Sequence, residues 1–180
     1  KFNPRFILDF FNYCQEIFLW GADYYAELIH ERESGSWVVW DKRSNDNVAE
    51  TKLDKMFGSA FELCWSKYNH QRLMARVKYS GLFGTETQDA KKRVHPTQKP
   101  IQLVEFFFGN WGKENDLVID LFGGSGSTLI ACEKTNRINY SMELDPKYCD
   151  VIVKRWQEFT GKEATLESTG ETFGVINGSR

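Results

Sequence analysis

The stretch from Leu117 to Asp145 constrains this chain more than any other. A short apolar run, Leu117 to Phe122, leads directly into Gly123-Gly-Ser-Gly-Ser-Thr128, and Leu129-Ile-Ala131 follows. An apolar run of strand length, then clustered glycines, then hydroxyls before apolar residues reads as strand, sharp turn and helix. Gly123, Gly124 and Gly126 let the backbone turn tightly and approach a ligand without a Cβ in the way. Ile138 to Leu144 supplies a second strand, and Glu143 follows Gly123 by 20 residues. From that position a carboxylate can accept both ribose hydroxyls of an adenosine. The unit predicts an α/β chain with a grip for an adenosine-containing cofactor.

The turn departs from two familiar phosphate loops. Starting at Gly124 it reads G-S-G-S-T-L, with Leu129 where a dinucleotide fingerprint has its third glycine. No G-x-x-x-x-G-K-[ST] phosphate loop is present either. Asp120 adds a carboxylate beside the turn, which suits a cationic ligand better than a pyrophosphate. S-adenosylmethionine, with its sulfonium and free amino group, fits this pattern best. A nicotinamide or flavin dinucleotide and a purely structural turn remain open from these residues alone.

The second concentrated signal is His95-Pro-Thr-Gln-Lys-Pro100. Its prolines stiffen the approach to a helix running to about Gly109, and they place Thr97, Gln98 and Lys99 at a fixed turn. Such a loop either caps the helix rigidly or closes the methionine end of the cofactor pocket. His95 has no carboxylate partner identifiable from sequence for acid–base work.

Elsewhere the pattern predicts a helix over 6–15, strands at 17–20, 37–40 and 61–65, and a helix over 22–30. A further strand is expected within 72–79. The first of these read as two α/β units in succession. Asp145 with Pro146 predicts a capped helix whose stripe of Tyr148, Ile152, Trp156 and Phe159 packs into the core. A small strand is expected at 165–167.

Charge is uneven along the chain. Residues 67–99 carry eight Lys or Arg against Glu86 and Asp89, a formal +6, so the rest must carry −8 for the total of −2. A local positive surface attracts phosphates even on a slightly acidic chain, although a solvated loop has the same composition. Cys14, Cys64, Cys132 and Cys149 form no CxxC pair and His30, His70 and His95 are scattered, which argues against a metal site. Reduced, mostly buried thiols predict a cytoplasmic protein, and no apolar run is long enough to span a membrane.

Together HPTQKP at 95–100, DLFGGSGST at 120–128 and MELDPKY at 142–148 resemble amino-group DNA methyltransferases of the permuted beta class. IFLWGADYY at 17–25 and WVVWDK at 37–42 resemble the segment that follows this family's catalytic motif, so the likeness covers roughly residues 7–160. It implies a Rossmann-like, circularly permuted S-adenosylmethionine-dependent methyltransferase fold over 1–160. Residues 43–94 would form a DNA-facing insertion, and 161–180 a tail or edge strand.

The resemblance implies site residues as well. Asp120, Phe122, Gly123 and Gly124 would surround the methionine end and backbone of the cofactor, while Ser125, Gly126, Ser127 and Thr128 shape the turn. Glu143 would engage the ribose, Thr97 and Lys99 would match the HPTQKP side, and Trp20 would border the pocket. The partner implied is double-stranded DNA, met by Arg72, Arg76, Lys78, Lys91, Lys92 and Arg93 in the target-recognition region. The implied reaction is methyl transfer to adenine N6, with cytosine N4 as the alternative, within a restriction-modification setting.

One departure stands out. The family's Asp-Pro-Pro-Tyr motif, or its Ser/Asn variant, occurs nowhere in these 180 residues. That motif holds the flipped base and accepts hydrogen bonds from its amine. Its catalytic strand would lie between the strands at 117–122 and 17–20, and an open sheet centre is costly. An upstream segment or a second polypeptide is therefore expected to complete the active site. The chain alone is expected to bind cofactor with little or no methyl transfer, or to act as a non-catalytic cofactor- or DNA-binding remnant.

Overall fold

The computed structural model describes residues 2–10, 12–43, 59–78 and 94–178. The chain divides into two compact units, Lys1–Lys91 and Lys92–Arg180.

The first unit is organised by a four-stranded sheet of β1 (Phe18–Trp20), β2 (Ser36–Asp41), β3 (Phe61–Ser66) and β4 (Met74–Arg76), in the order β1-β3-β2-β4. β3 runs antiparallel to both β1 and β2, and β4 lies parallel to β2. The first three strands fall where the sequence places them. Their arrangement differs from two successive α/β units, because β3 enters between β1 and β2. Consecutive burial of Cys64, Trp65 and Ser66 shows why: β3 is covered on both faces, as a central strand must be.

Val38, Trp40, Cys64 and Ala75 form the centre of this core. Its indole N–H groups are paired, Trp40 Nε1 donating to the Val77 carbonyl at 2.8 Å and Trp65 Nε1 to that of Arg32 at 3.0 Å. Gly35 does more than break a helix: a Cβ there would press on the Ser66 carbonyl and lie 2.5 Å from the Trp65 ring. The expected helix over 22–30 is instead a 3-10 segment, Ala22–Leu28, interrupted at Tyr25 (φ −140°). There the Tyr25 hydroxyl donates to the Trp20 carbonyl, five residues earlier, at 2.9 Å. The first helix is also short, α1 spanning Arg5–Phe10.

Glu16 and Lys67 tie the chain before β1 to the chain after β3. Glu16 Oε1 accepts the Lys67 amide at 2.8 Å and Oε2 lies 2.5 Å from His70 Nε2. Lys67 Nζ donates to the carbonyls of Asn12 and Cys14, so the first cation of the basic run has a structural role.

The second unit contains α2 (Ile101–Trp111), β5 (Leu117–Asp120), α3 (Ser127–Lys134), β6 (Ile138–Ser141), α4 (Pro146–Thr160) and α5 (Phe173–Gly178). β5 and β6 pair in parallel, Leu117 opposite Ile138 and Asp120 opposite Ser141, with α3 as the crossover. Leu103, Phe107, Ile130, Ala131, Cys132 and Ile152 make the core. Burial pushes the Cys132 thiol pKa up to about 12, so it behaves as a small apolar group. The start of α4 is as the sequence predicts: the Asp145 carboxylate accepts the Lys147 amide at 2.9 Å and Pro146 takes the first turn. Gly161 (φ 69°) ends that helix. At 165–167 there is only a bridge from Thr165 to Thr172, and α5 follows it.

Of the span 43–94, residues 44–58 and 79–93 lie outside the described residues, while β3 and β4 belong to the sheet. No described helix is long and apolar enough to cross a membrane.

Candidate cofactor site

The glycine-rich turn begins where β5 ends. The Asp120 carboxylate accepts the Phe122 amide at 3.0 Å, and the Gly123 amide donates to the Met142 carbonyl at 2.8 Å. The parallel pairing thus continues past the end of the strands, bringing the turn beside Met142 and Glu143. Gly124 (φ 54°) and Gly126 (φ 78°) both take the left-handed conformation that glycine adopts without Cβ strain. The Gly126 amide closes the turn on the Gly123 carbonyl at 2.8 Å, and its own carbonyl accepts the first helical bond, from Ile130.

Gly126, not a serine, is the N-cap of α3, and no side chain caps it. Ser127 Oγ instead donates to the Lys99 carbonyl at 2.6 Å and lies 3.1 Å from Ser125 Oγ. Both serines are buried. These hydroxyls therefore fasten the turn to the HPTQKP segment.

That segment is itself held in shape. Gln98, only 4% exposed, accepts the Val94 amide with its side-chain oxygen at 3.0 Å, and its own amide donates to the His95 carbonyl. His95 Nδ1 lies 3.2 Å from the Thr97 amide, which donates to it. The His95 ring meets Tyr148 of α4 at 4.2 Å between centroids and lies 3.7 Å from the position a Gly124 Cβ would take. Residues 95–100 and 123–127 are thus one local structure, which sequence order alone does not require.

Glu143 is the central acid. Its Oε2 accepts the Gly124 amide at 2.7 Å and its Oε1 accepts the Asp145 amide at 2.9 Å. The Asp145 amide is the chief reason that its pKa is lowered; burial opposes the shift, and the Gly124 and Leu144 amides and the His95 charge support it. A carboxylate offers about four lone-pair sites, so acceptor capacity is left over for a ligand hydroxyl.

Asp120, Phe122, Gly123, Gly124, Ser125, Gly126, Ser127, Thr128 and Glu143 therefore surround one turn, with Thr97 and Lys99 on the adjoining segment. Phe122 presents its ring outward, 61% exposed. Among the basic residues, Arg72, Arg76 and Lys78 are exposed on and around β4, with Arg72 bordering an open groove lined by Trp37, Val39, Leu73 and Met74. Lys91, Lys92 and Arg93 lie outside the described residues. Trp20 closes β1 with its ring edge-on to Trp40 at 6.0 Å.

Two residues at the turn escape sequence reasoning. Ile152 reads as one of a core stripe, and nothing in the sequence singles out Arg155, yet both reach the turn from α4. Only their spacing of three, one helical turn apart, hints that they share a target.

Residues 3–154 match the model of a family described as DNA methylase. The chain is 34% identical to the type II methyltransferase M.HpaI of Haemophilus parainfluenzae over 79% of its length and 53% of that protein's. It is 32% identical to the orphan methyltransferase M.BamHII of Bacillus amyloliquefaciens over 66% of its length and 40% of that protein's. The chain thus spans about half, or less, of the length of these relatives. The crystal structure of the M1.HpyAVI-SAM complex superposes with a TM-score of 0.54 at 20% identity, covering 78% of this chain and 74% of that one. The fold is accordingly the Rossmann-like methyltransferase fold in permuted order, its glycine-turn strand following the mixed sheet in sequence.

Proposed function

The chain belongs to the DNA methylase family, and from that membership we propose that it is the cofactor-binding and DNA-facing part of an enzyme that methylates adenine N6 in double-stranded DNA. The observation that carries this reading is the convergence of Glu143 and the HPTQKP segment on one glycine turn.

The residues fit S-adenosylmethionine. Glu143 keeps its carboxylate ionised and retains acceptor capacity for the ribose hydroxyls. Asp120 brings a second carboxylate to the turn, favourable to a ligand carrying an ammonium and a sulfonium and unfavourable to a pyrophosphate. Gly123 and Gly126 keep the turn close to its neighbours, and Phe122 offers an exposed ring at its edge. When bound, the cofactor supplies an electrophilic methyl group on sulfur.

The protein's part is then to hold that methyl in line with the target amine and to exclude water. The residues expected to hold the flipped base, the Asp-Pro-Pro-Tyr motif, are not among these 180, and we assign them to polypeptide outside this chain. Arg72, Arg76 and Lys78, with Lys91, Lys92 and Arg93, are proposed to meet DNA phosphates. A cytoplasmic setting follows from that substrate.

A labelled-methyl assay on double-stranded DNA with the full-length protein, followed by nucleoside analysis, tests the proposal. The expected product is N6-methyladenine. N4-methylcytosine would move the target while keeping the reaction, and no transfer would overturn the enzymatic reading.

A further inference from the structure

We infer that Ile152 and Arg155 on α4 are positioning residues that hold the glycine turn in its cofactor-binding shape before the cofactor arrives. The inference rests on the cofactor reading above.

The geometry places one side chain against both ends of the turn. A Cβ on Gly123 would lie 2.9 Å from Ile152 Cδ1, and a Cβ on Gly126 would lie 3.1 Å from Ile152 Cγ2 and 3.4 Å from its Cα. Ile152 therefore occupies the space that any side chain at either glycine would need, and it is itself buried, at 8% exposure. Between those two contacts, Arg155 Nη1 donates to the Ser125 carbonyl. Residues three apart lie on the same helical face, so a single turn of α4 touches the glycine turn at positions 123, 125 and 126.

α4 is joined to the site at its other end too. Asp145, its N-cap, donates its amide to Glu143 Oε1, and Glu143 Oε2 in turn accepts the Gly124 amide. The acid assigned to the ribose and the turn that approaches the cofactor are thus referenced to the same rigid helix. Left-handed residues such as Gly124 and Gly126 have many alternative conformations when unconstrained. Anchoring the intervening Ser125 carbonyl removes alternatives that the cofactor would otherwise have to suppress by binding.

Such a role has a specific signature. If loosening the anchor leaves the turn competent in about one molecule in ten, apparent affinity falls about tenfold while the bound state is unaltered. The test uses Arg155→Met, which keeps the apolar stem, with Arg155→Lys as the conservative partner and Ile152→Val as a second, milder change. Calorimetry with S-adenosylmethionine and hydrogen exchange without ligand are measured on the full-length protein, together with kcat and KM.

The expected result for Arg155→Met is a dissociation constant and a cofactor KM raised about tenfold, with kcat at saturation kept within about twofold. Exchange should accelerate at amides 123–127 and not along α2. Arg155→Lys should restore part of the affinity, and Ile152→Val should show the same pattern more weakly. Wild-type affinity in Arg155→Met, or faster exchange spread evenly over the unit, would overturn the positioning role alone. Absence of saturable binding in the wild-type protein would overturn the cofactor reading and this inference with it.

Discussion

Glu143 reaches from the end of β6 to the turn that ends β5, its Oε2 accepting the Gly124 amide at 2.7 Å. One carboxylate thereby sets the distance between the two β–α connections that a nucleoside would straddle. Its second oxygen is fixed by Asp145 at the start of α4.

Replacing Glu143 with Gln should weaken S-adenosylmethionine binding by about tenfold, since a hydrogen bond to a charged acceptor contributes about 1.5–3 kcal/mol and one to a neutral acceptor about 0.5–1.5 kcal/mol. The pH dependence has a definite sign. The folded-state pKa of Glu143 lies below its unfolded value, so its stabilisation is fully present above the unfolded value and is lost as pH falls through the folded one. Affinity should therefore hold through neutral pH and decline only on acidification below the ordinary glutamate range, and calorimetry across that range checks it. A decline beginning near neutral pH would contradict the assignment.

Gly126→Ala should destabilise the second unit by more than the conformational cost of a Cβ in the left-handed region, which is about 1–2 kcal/mol. Here crowding adds to the conformational cost, because Ile152 lies against the new methyl. Denaturant unfolding measures this directly. Gly161→Ala, also left-handed but with nothing within 4 Å of its Cβ position, should show the conformational cost alone.

Ser127→Ala removes the donor to the Lys99 carbonyl and should cost about 1 kcal/mol, the net worth of one such bond. The informative readout is local. Exchange at residues 94–99 should accelerate together with that of the turn, because the hydroxyl joins the two segments. Unchanged exchange at 94–99 would show that Gln98 holds that segment unaided.

Arg76→Ala should weaken DNA binding similarly for all sequences and lower the slope of log affinity against log salt by about 1, as loss of one phosphate contact requires. Lys67→Ala is the control. Its ammonium is held by the carbonyls of Asn12 and Cys14, so it should lower stability and leave the salt slope unchanged.

Asp41 gives an independent test of pH behaviour in the first unit. Its carboxylate accepts from Arg43 Nε at 2.8 Å and from Nη2 at 2.7 Å, and that side-chain bond chiefly lowers its pKa against the opposing effect of burial. The stabilisation is present above the unfolded pKa and lost as pH falls through the folded one. Asp41→Asn should flatten the acid limb of the first unit's stability curve, which thermal unfolding at successive pH values will show.

The sequence by itself determined the parts that depend on neighbours along the chain. The strand–turn–helix at 117–134, Glu143 at the end of the next strand, and the Asp145-Pro146 helix start all follow from short-range chemistry. Left-handed turns favour glycine, the start of α4 takes its acceptor from Asp145, and both preferences act within a few residues.

Only the tertiary structure decided what depends on packing between distant segments. It set β3 between β1 and β2, because burial on both faces of Cys64 and Trp65 outweighs proximity in sequence. It made Ser127 a fastening to the Lys99 carbonyl, and it brought Ile152 and Arg155 to the glycine turn. Such partners carry no local signal, because a buried contact is fixed by the shape of the whole core and leaves no spacing rule behind in the sequence.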